Sequence, residues 1–346
     1  MFVFGLLAGG LSDRFPRPRL MAIGQSSNLI AAIAMVALLI GGNAHPWHAY
    51  IIIFVTGTTW ALDYASRRAL LGDIFSGRAL TNATALDAGL VTGTNMIGPL
   101  LGTVLIRFFD FQGAYIGVML LTITAFSLVI SIKSQPRPQS ATAGRGTPLA
   151  QIRDAVDLLR SNQIVLGAVL VTIAFNMMGW PFVQMVSVIA RNQLGSGEIA
   201  FGFLLSGLGA GSLVGASFLA WTQPPSRGNV YTGGAALLMI AAIGFAWSPW
   251  YLLALFWMFV AGVGLAGFAA MQPVIPLEAV SADQRGRAMG TIVLGIGFQA
   301  VGMAFMGLIA EIVGPREAIA IMCTLGIASI LMLRSCFPSL RDRPSP

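Results

Sequence analysis

The sequence predicts an all-α, polytopic membrane protein, a bundle of helices that cross a bilayer. Hydrophobic residues make up 56% of the 346 residues and charged residues only 10%, whereas soluble domains carry roughly 25% charged residues. The mean hydropathy is +0.80, so the chain lacks the polar residues that would cover an outside facing water. Apolar segments of about 20 residues, the length that spans a bilayer as a helix, follow one another along nearly the whole chain.

These segments predict ten complete helices after a shorter apolar stub. We expect the helices at 20–42, 49–71, 80–108, 112–133, 163–190, 197–221, 229–247, 250–272, 285–313 and 316–336, and the stub at 1–12. As a helix the stub would reach only about 18 Å, less than the hydrocarbon core of about 30 Å. Between 133 and 163, prolines and glycines predict a linker, followed by an amphipathic surface helix from Leu149 to Leu159.

The positive charges predict the orientation rather than a nucleic-acid partner. The net charge is +7, but the basic residues are scattered among short loops. Only Arg107, Arg191 and Arg316 fall on one predicted side, and the other Lys and Arg residues fall on the opposite side. Because the basic side is cytoplasmic, we expect a multi-pass protein of the bacterial inner membrane with a cytoplasmic C-terminus. Its partners would be the lipid bilayer and a small-molecule substrate, and we expect a monomer.

An internal repeat predicts two pseudo-symmetric halves. One constant offset carries Gly93 onto Gly297 and Gly98 onto Gly302, and it also superposes later predicted helices on earlier ones. Parallel repeats joined by a long loop are typical of one large transporter class. We therefore expect an N-terminal half at 1–133, a cytoplasmic linker at 134–162 and a C-terminal half at 163–346. Under this repeat the first half lacks its first helix and part of its second, which predicts an N-terminal truncation and about 11 helices.

Two segments resemble motifs of the major facilitator superfamily. Residues 9–20 read GGLSDRFPRPRL and resemble the signature between helices 2 and 3, with Pro16 in place of the usual glycine and Pro18 in place of a basic residue. Residues 98–102 read GPLLG and resemble the Gly-Pro-x-x-Gly motif of exporter-type members. The resemblance implies the major facilitator fold and transport by alternating access.

Further segments point to one branch of that superfamily. Residues 283–289 read DQRGRAM and resemble the Arg-Gly-Arg start of helix 11. Together with RRALLGD at 67–73 and LTNA at 80–83, they make the chain similar to the branch that contains the bacterial enterobactin exporter. The direction of transport, outward, is implied by this resemblance alone.

The motifs supply candidate gating residues. A carboxylate at a cytoplasmic helix end can interact with the positive N-terminus of another helix, so Asp13 is expected to latch the two halves; the alternative is a solvated charge that only sets topology. The proline of the second motif would kink its helix, and glycines four apart allow close packing, which is the alternative interpretation. The candidates are Gly9, Asp13, Arg14, Arg17, Gly98, Pro99, Gly102, Arg285, Gly286 and Arg287.

Charges inside a membrane are costly and are therefore functional candidates. Asp87 is the candidate for proton coupling, and the alternative is a structural partner of Arg67, Arg68 or Arg78. We expect Asp63 and Glu311 to be interfacial.

Polar and aromatic residues within helices are candidates for lining a substrate cavity. Asn176, Trp180 and Gln184 are four residues apart, so a regular α-helix would place them on one face. The full set is Asn95, Asn176, Trp180, Gln184, Gln272 and Gln299. The alternative role is hydrogen bonding between helices. Glycines at 207, 209, 211, 215, 262, 264 and 267 are expected to form packing seams.

Enzyme motifs are missing from the sequence. It contains no Gly-Lys-Ser/Thr phosphate loop and no Gly-x-Ser-x-Gly elbow, and His45 and His48 have no neighbouring metal ligands. We therefore expect no enzyme, no metal and no cofactor, with a proton gradient as the driving force. The predicted function is proton-coupled export of a small amphipathic solute. A truncated, transport-inactive or structural membrane protein is the alternative.

Overall fold

The computed structural model describes residues 16–74, 77–132, 157–222, 224, 226–280 and 284–338. In these ranges the chain forms helices and the turns between them, without strands. Eight segments of this part are long and apolar enough to cross a membrane. The predicted class, an all-α polytopic membrane protein, is confirmed.

The helices lie close to the predicted segments. Their bounds are α1 Arg17–Ile40, α2 Pro46–Ile74, α3 Gly77–Ser131, α4 Gln163–Ala174, α5 Phe182–Asn192, α6 Glu198–Thr222, α7 Arg227–Ala246, α8 Tyr251–Glu278, α9 Arg285–Gly297, α10 Gln299–Val313 and α11 Pro315–Cys336. The predicted stub at 1–12 and most of the linker lie outside the described residues, and 157–161 is helical.

The predicted loop at 109–111, between the third and fourth helices, is wrong, because only one residue there is not helical. The chain remains helical from Gly77 to Ser131 except at Asp110, which has φ 55 and ψ −174. A positive φ is uncommon for a residue with a side chain, and here it interrupts the helix at a kink. One residue therefore makes the break that the sequence suggested would need a short loop.

Two compact units can be distinguished by their internal contacts. The first comprises residues 1–88 and 104–149, and the second comprises 89–103 and 150–346. Within the first unit, Thr59 of α2 donates a hydrogen bond to Asn28 Oδ1 of α1 over 2.7 Å, and Gln112 Nε2 of α3 donates to the Leu39 carbonyl over 3.0 Å. The borders of the two predicted halves stay a prediction.

Glycine seams hold α6, α7 and α8 together in the second unit. A Cβ on Gly211 of α6 would overlap the carbonyl of Phe259 in α8, and a Cβ on Gly262 of α8 would overlap the carbonyl of Leu208 in α6. On the other side of α8, a Cβ on Gly264 would lie 2.6 Å from the Leu238 nitrogen of α7. These close approaches confirm the predicted packing role of the glycines.

A widened turn separates α4 from α5. Phe175–Gly179 is π-helical, and the Trp180 N–H donates to the Phe175 carbonyl five residues back over 2.9 Å. The next residue is Pro181, whose ring has no N–H and would collide with the carbonyl four residues back in a regular α-helix. The kink expected from this proline therefore takes the form of a π-turn, a feature that often occurs at functional positions.

Candidate functional site

One arginine of the first unit lies between two carboxylates. Arg67 of α2 donates a hydrogen bond from an Nη atom to Asp87 of α3, and its Nε lies 3.4 Å from Asp63 Oδ2. We call these three residues the charged triad. The interaction with Asp87 joins two helices, whereas the interaction with Asp63 spans one turn within α2.

The triad is partly withdrawn from solvent. The side chains of Arg67, Asp63 and Asp87 are 31%, 27% and 12% exposed. Ser66, next to Arg67, is fully buried, and its hydroxyl has no hydrogen-bond partner among the described residues. Asp87 is thus the more buried of the two carboxylates that pair with Arg67.

The chemistry of the triad follows from its charge. A guanidinium stays protonated in proteins and can bind two carboxylates at once through its fork of donors. With both carboxylates ionised the triad has one net negative charge, and one bound proton makes it neutral. When either carboxylate is protonated, Arg67 still has the other as a counter-ion, so the guanidinium is not left as an unpaired charge, which would be costly.

The sequence interpretation found this site only in part. Arg67 was one of three proposed partners of Asp87, and the structure selects it among the described side chains. Asp63 was interpreted as interfacial, and its pairing was missed. The four-residue spacing between Asp63 and Arg67 was the available signal, because residues four apart are neighbours on a helix.

The cavity candidates on the segment after α4 do not share one regular face. The π-turn lies between Asn176 and Trp180, so the assumption of an uninterrupted α-helix is wrong. Asn176 is buried and donates from Nδ2 to the Thr172 carbonyl over 2.9 Å. Trp180 is half-buried and Gln184 is exposed.

Two of the other candidates lie in different surroundings. A Cβ on Gly295 would lie 3.1 Å from Thr172 Cγ2, and one on Gly302 would overlap the Met177 carbonyl. Gln299 falls between these two contacts in the sequence, so its helix segment runs alongside the segment that carries Asn176. Asn95 is exposed on α3.

A buried column of polar and aromatic groups supports the π-turn, and the sequence analysis missed it. Tyr231 of α7 is fully buried; its hydroxyl lies 2.7 Å from Thr172 Oγ1 and donates to the Ala168 carbonyl over 3.0 Å. The Phe268 ring stacks on Tyr231 at 5.0 Å and on Phe175 at 3.7 Å between centroids. Phe175 begins the π-turn, so the column connects that turn to α7 through α8.

Only some of the gating candidates lie among the residues that the structure describes. Gly9, Asp13 and Arg14 lie outside the described residues, and the side chains at 17 and 285–287 do as well, although Arg17 begins α1 and Arg285 begins α9. Pro99 lies inside α3. A Cβ on Gly98 or Gly102 would meet no described atom within 4 Å, so the close packing considered for these two glycines is not seen there. The gating roles stay predictions.

Comparison with known proteins places the chain among transporters. The family model described as Major Facilitator Superfamily matches residues 1–249. The uncharacterized MFS-type transporter YfiS of Bacillus subtilis (strain 168) is 21% identical over 346 residues, covering 96% of this chain and 81% of the relative. The Staphyloferrin A transporter of Staphylococcus aureus (strain NCTC 8325 / PS 47) is 20% identical over 336 residues, covering 95% and 82%.

A solved structure shows the same fold. The crystal structure of a D-xylose–proton symporter superposes with a TM-score of 0.77 at 14% identity, covering 98% of this chain and 85% of that one. The spanning helices and the family match over most of the chain agree with this superposition. The chain belongs to the Major Facilitator Superfamily and is a multi-pass membrane transporter by family.

Proposed function

We propose that this chain is a proton-coupled exporter of a small amphipathic solute, drug-like or siderophore-like, that works by alternating access. It acts as a monomer in the bacterial inner membrane, with its C-terminus in the cytoplasm. The observation on which the proposal rests is the charged triad, in which Arg67 pairs with Asp63 and with the more buried Asp87. The likeness to a transporter of staphyloferrin A supports the siderophore-like class.

The triad couples protonation to helix contact. When Asp87 is ionised, its bond to Arg67 holds α3 against α2. When Asp87 takes up a proton, it loses the charge that attracts the guanidinium, and Arg67 keeps Asp63 as its counter-ion within α2. Proton binding therefore loosens a contact between two helices without creating an unpaired charge, and a change in helix contacts is what a switch between the two accesses requires.

The remaining candidates receive complementary roles in this proposal. Asn176 and Gln299 contribute amide groups to a solute path in the C-terminal helices, and Trp180 contributes an aromatic surface. In this proposal Asp13, Arg14, Arg17 and the Arg-Gly-Arg segment at 285–287 have the gating role of a cytoplasmic latch, and the Gly98–Gly102 motif has the role of a hinge in α3.

An efflux assay in intact cells tests the proposal. Cells that produce the wild type are loaded with ethidium, an amphipathic cation, or with a panel of siderophores, and the loss of each solute is followed with and without a protonophore. We expect protonophore-sensitive efflux of at least one solute and at least a tenfold slower rate for Asp87→Asn. Glu311→Gln, which changes an exposed carboxylate of α10, is the matched control and should export normally.

Two results would contradict the proposal. Efflux that continues unchanged in the presence of the protonophore would exclude proton coupling. A wild type that exports nothing while inserted normally in the membrane would favour the transport-inactive alternative.

A further inference from the structure

Asn162, which directly precedes α4, uses both ends of its side-chain amide. Its Oδ1 accepts hydrogen bonds from the backbone N–H groups of Ile164 and Val165, over 3.0 and 3.2 Å, and so caps the first turn of α4. Its Nδ2 donates to the Ala279 carbonyl over 2.8 Å. Ala279 is the C-cap residue of α8, so one side chain joins the start of one helix to the end of another. We call this contact the α4–α8 junction.

The junction holds a helix end that lacks some of its own backbone bonds. Pro273 and Pro276 lie inside α8, and a proline has no N–H to donate to the carbonyl four residues back. Residues 273–278 are therefore joined to the rest of α8 by fewer hydrogen bonds than a regular helix has. The amide nitrogen of Gln272, next to this segment, is buried and has no partner among the described residues. The end of α8 thus depends on contacts with other helices for its position.

The amide contact is better shielded from water than the ion pair beside it. Arg227 of α7 pairs with Glu278 of α8, but their side chains are 42% and 41% exposed, and ion pairs exposed to water contribute little to stability. Near Asn162, by contrast, Val165 of α4 and Ile275 of α8 belong to one cluster of buried apolar side chains. The bond from Asn162 is therefore the polar contact that fixes the end of α8 beside α4.

Asn162 also connects the linker to the second unit. It is the last residue of the predicted linker, and its N–H donates to the Leu158 carbonyl over 3.0 Å. Leu158 lies in the helical turn at 157–161 and is buried. Six residues after Ala279, α9 begins at Arg285, the first residue of the Arg-Gly-Arg gating candidate. The junction therefore ties the linker to the segment that leads into this candidate.

We infer that Asn162 is a positioning residue for the transport cycle. Its bond to the Ala279 carbonyl holds the end of α8 against the start of α4, and this bond breaks when the two helix ends separate. Capping of α4 uses the other end of the amide, so the two roles can be separated by substitution. The inference uses no residue of the charged triad and names no solute, so it depends on neither proton coupling nor the direction of transport.

Thiol labelling measures how often the helix ends separate. The full-length chain with Ile275→Cys and Cys336→Ser is reconstituted in lipid nanodiscs, whose two faces are both open to solution, and treated with a membrane-impermeant maleimide. The thiol at 275 is buried and reacts only when the junction opens, so its labelling rate reports the separated population. The native Cys323, buried in α11, reports general loosening in the same sample by mass spectrometry.

Two substitutions remove the bond to Ala279 and keep the cap. Aspartate and serine both retain an oxygen that caps α4, but the aspartate carboxylate has no donor and the serine side chain is one atom shorter. We expect labelling at 275 to be about three- to tenfold faster in Asn162→Asp and Asn162→Ser, as the loss of one hydrogen bond predicts. Cys323 should stay unlabelled. Ser161→Ala, which removes a hydroxyl bonded to the Leu158 carbonyl, is the matched control and should label at the parent rate.

A third variant, Asn162→Ala, removes the cap as well as the bond. Faster labelling in Asn162→Ala alone, with parent rates in the other two variants, would overturn the inference, because the residue would then act only as a cap. Parent rates in all three would also overturn it, since the bond would then hold nothing. An equal rise in labelling at Cys323 would overturn it too, because the whole unit would then have loosened.

Discussion

Arg67 of α2 bonds directly to Asp87 of α3, and this bond connects two helices that otherwise follow one another in the chain. The same guanidinium lies 3.4 Å from Asp63, one turn away on its own helix. In the proposed mechanism the two carboxylates therefore have different roles. Asp87 joins the helices, and Asp63 keeps Arg67 paired when Asp87 is neutral.

The geometry of the arginine is itself testable through Arg67→Lys. An ammonium keeps the charge but lacks the planar fork that serves two acceptors, so lysine should pair with one carboxylate at a time. We expect efflux at least tenfold slower than in the wild type, with normal membrane insertion. Arg227→Lys, at the exposed ion pair with Glu278, is the control and should export normally. An equal loss of efflux rate in both variants would contradict a special role for the Arg67 guanidinium.

Asp63→Asn should weaken coupling less than Asp87→Asn does. Asp63 is the more exposed carboxylate, at 27% against 12%, and water partly replaces its contribution. We expect slower but still protonophore-sensitive efflux in the assay described above. A complete loss in Asp63→Asn together with normal efflux in Asp87→Asn would reverse the assignment of the two carboxylates.

The glycine seam between α6 and α8 predicts a steric effect on stability. Gly211→Ala places a methyl group on the Phe259 carbonyl, and overpacking of this kind costs about 1–3 kcal/mol. Gly233→Ala on α7, where a Cβ would meet no described atom within 4 Å, should be tolerated.

These two variants can be compared by thermal unfolding in detergent. The buried Cys323 reacts with a thiol-reactive fluorophore only on unfolding, provided that the exposed Cys336 is replaced by serine. Gly211→Ala should lower the midpoint temperature by several degrees. Equal midpoints for the two variants would mean that α6 and α8 can separate without loss.

The buried hydroxyl pair predicts a measurable coupling. Tyr231→Phe removes the bonds to Thr172 and to the Ala168 carbonyl, and hydrogen bonds between membrane helices contribute about 0.6 kcal/mol on average and up to about 1.7. In a double-mutant cycle with Thr172→Val, the two losses should not add. Tyr50→Phe, at an exposed tyrosine, should have no effect, and strictly additive losses at 231 and 172 would contradict the pairing.

The fold could be predicted largely from the sequence, because an apolar segment of bilayer length can adopt few structures other than a membrane-spanning helix. The helix from Arg227 to Ala246, for example, begins two residues before its predicted start at 229. The π-turn at Phe175–Gly179 could not be predicted, because a proline at 181 is equally compatible with a simple kink. That turn depends on packing against Phe268 and Gly302, which only the tertiary structure provides.

The sequence predicts which charged residue belongs to the site, but it does not predict which side chains that residue contacts. Asp87 could be singled out because a charge in an apolar segment needs a reason. The choice of Arg67 as its partner required the relative rotation of α2 and α3. The hydroxyl of Ser66, unpaired among the described residues, could not be found from the sequence, since most serines in these helices bond to their own backbone, as Ser217 and Ser248 do.

The most direct test of proton exchange at the triad uses inside-out membrane vesicles with an energised pH gradient, followed by acridine orange fluorescence. Solutes from the efflux panel are added one at a time to vesicles with wild-type or Asp87→Asn chains. We predict that at least one solute restores fluorescence in wild-type vesicles, because its transport releases protons, and that none does so in Asp87→Asn vesicles. Restoration of equal size in the Asp87→Asn vesicles would contradict a proton-exchanging role for Asp87.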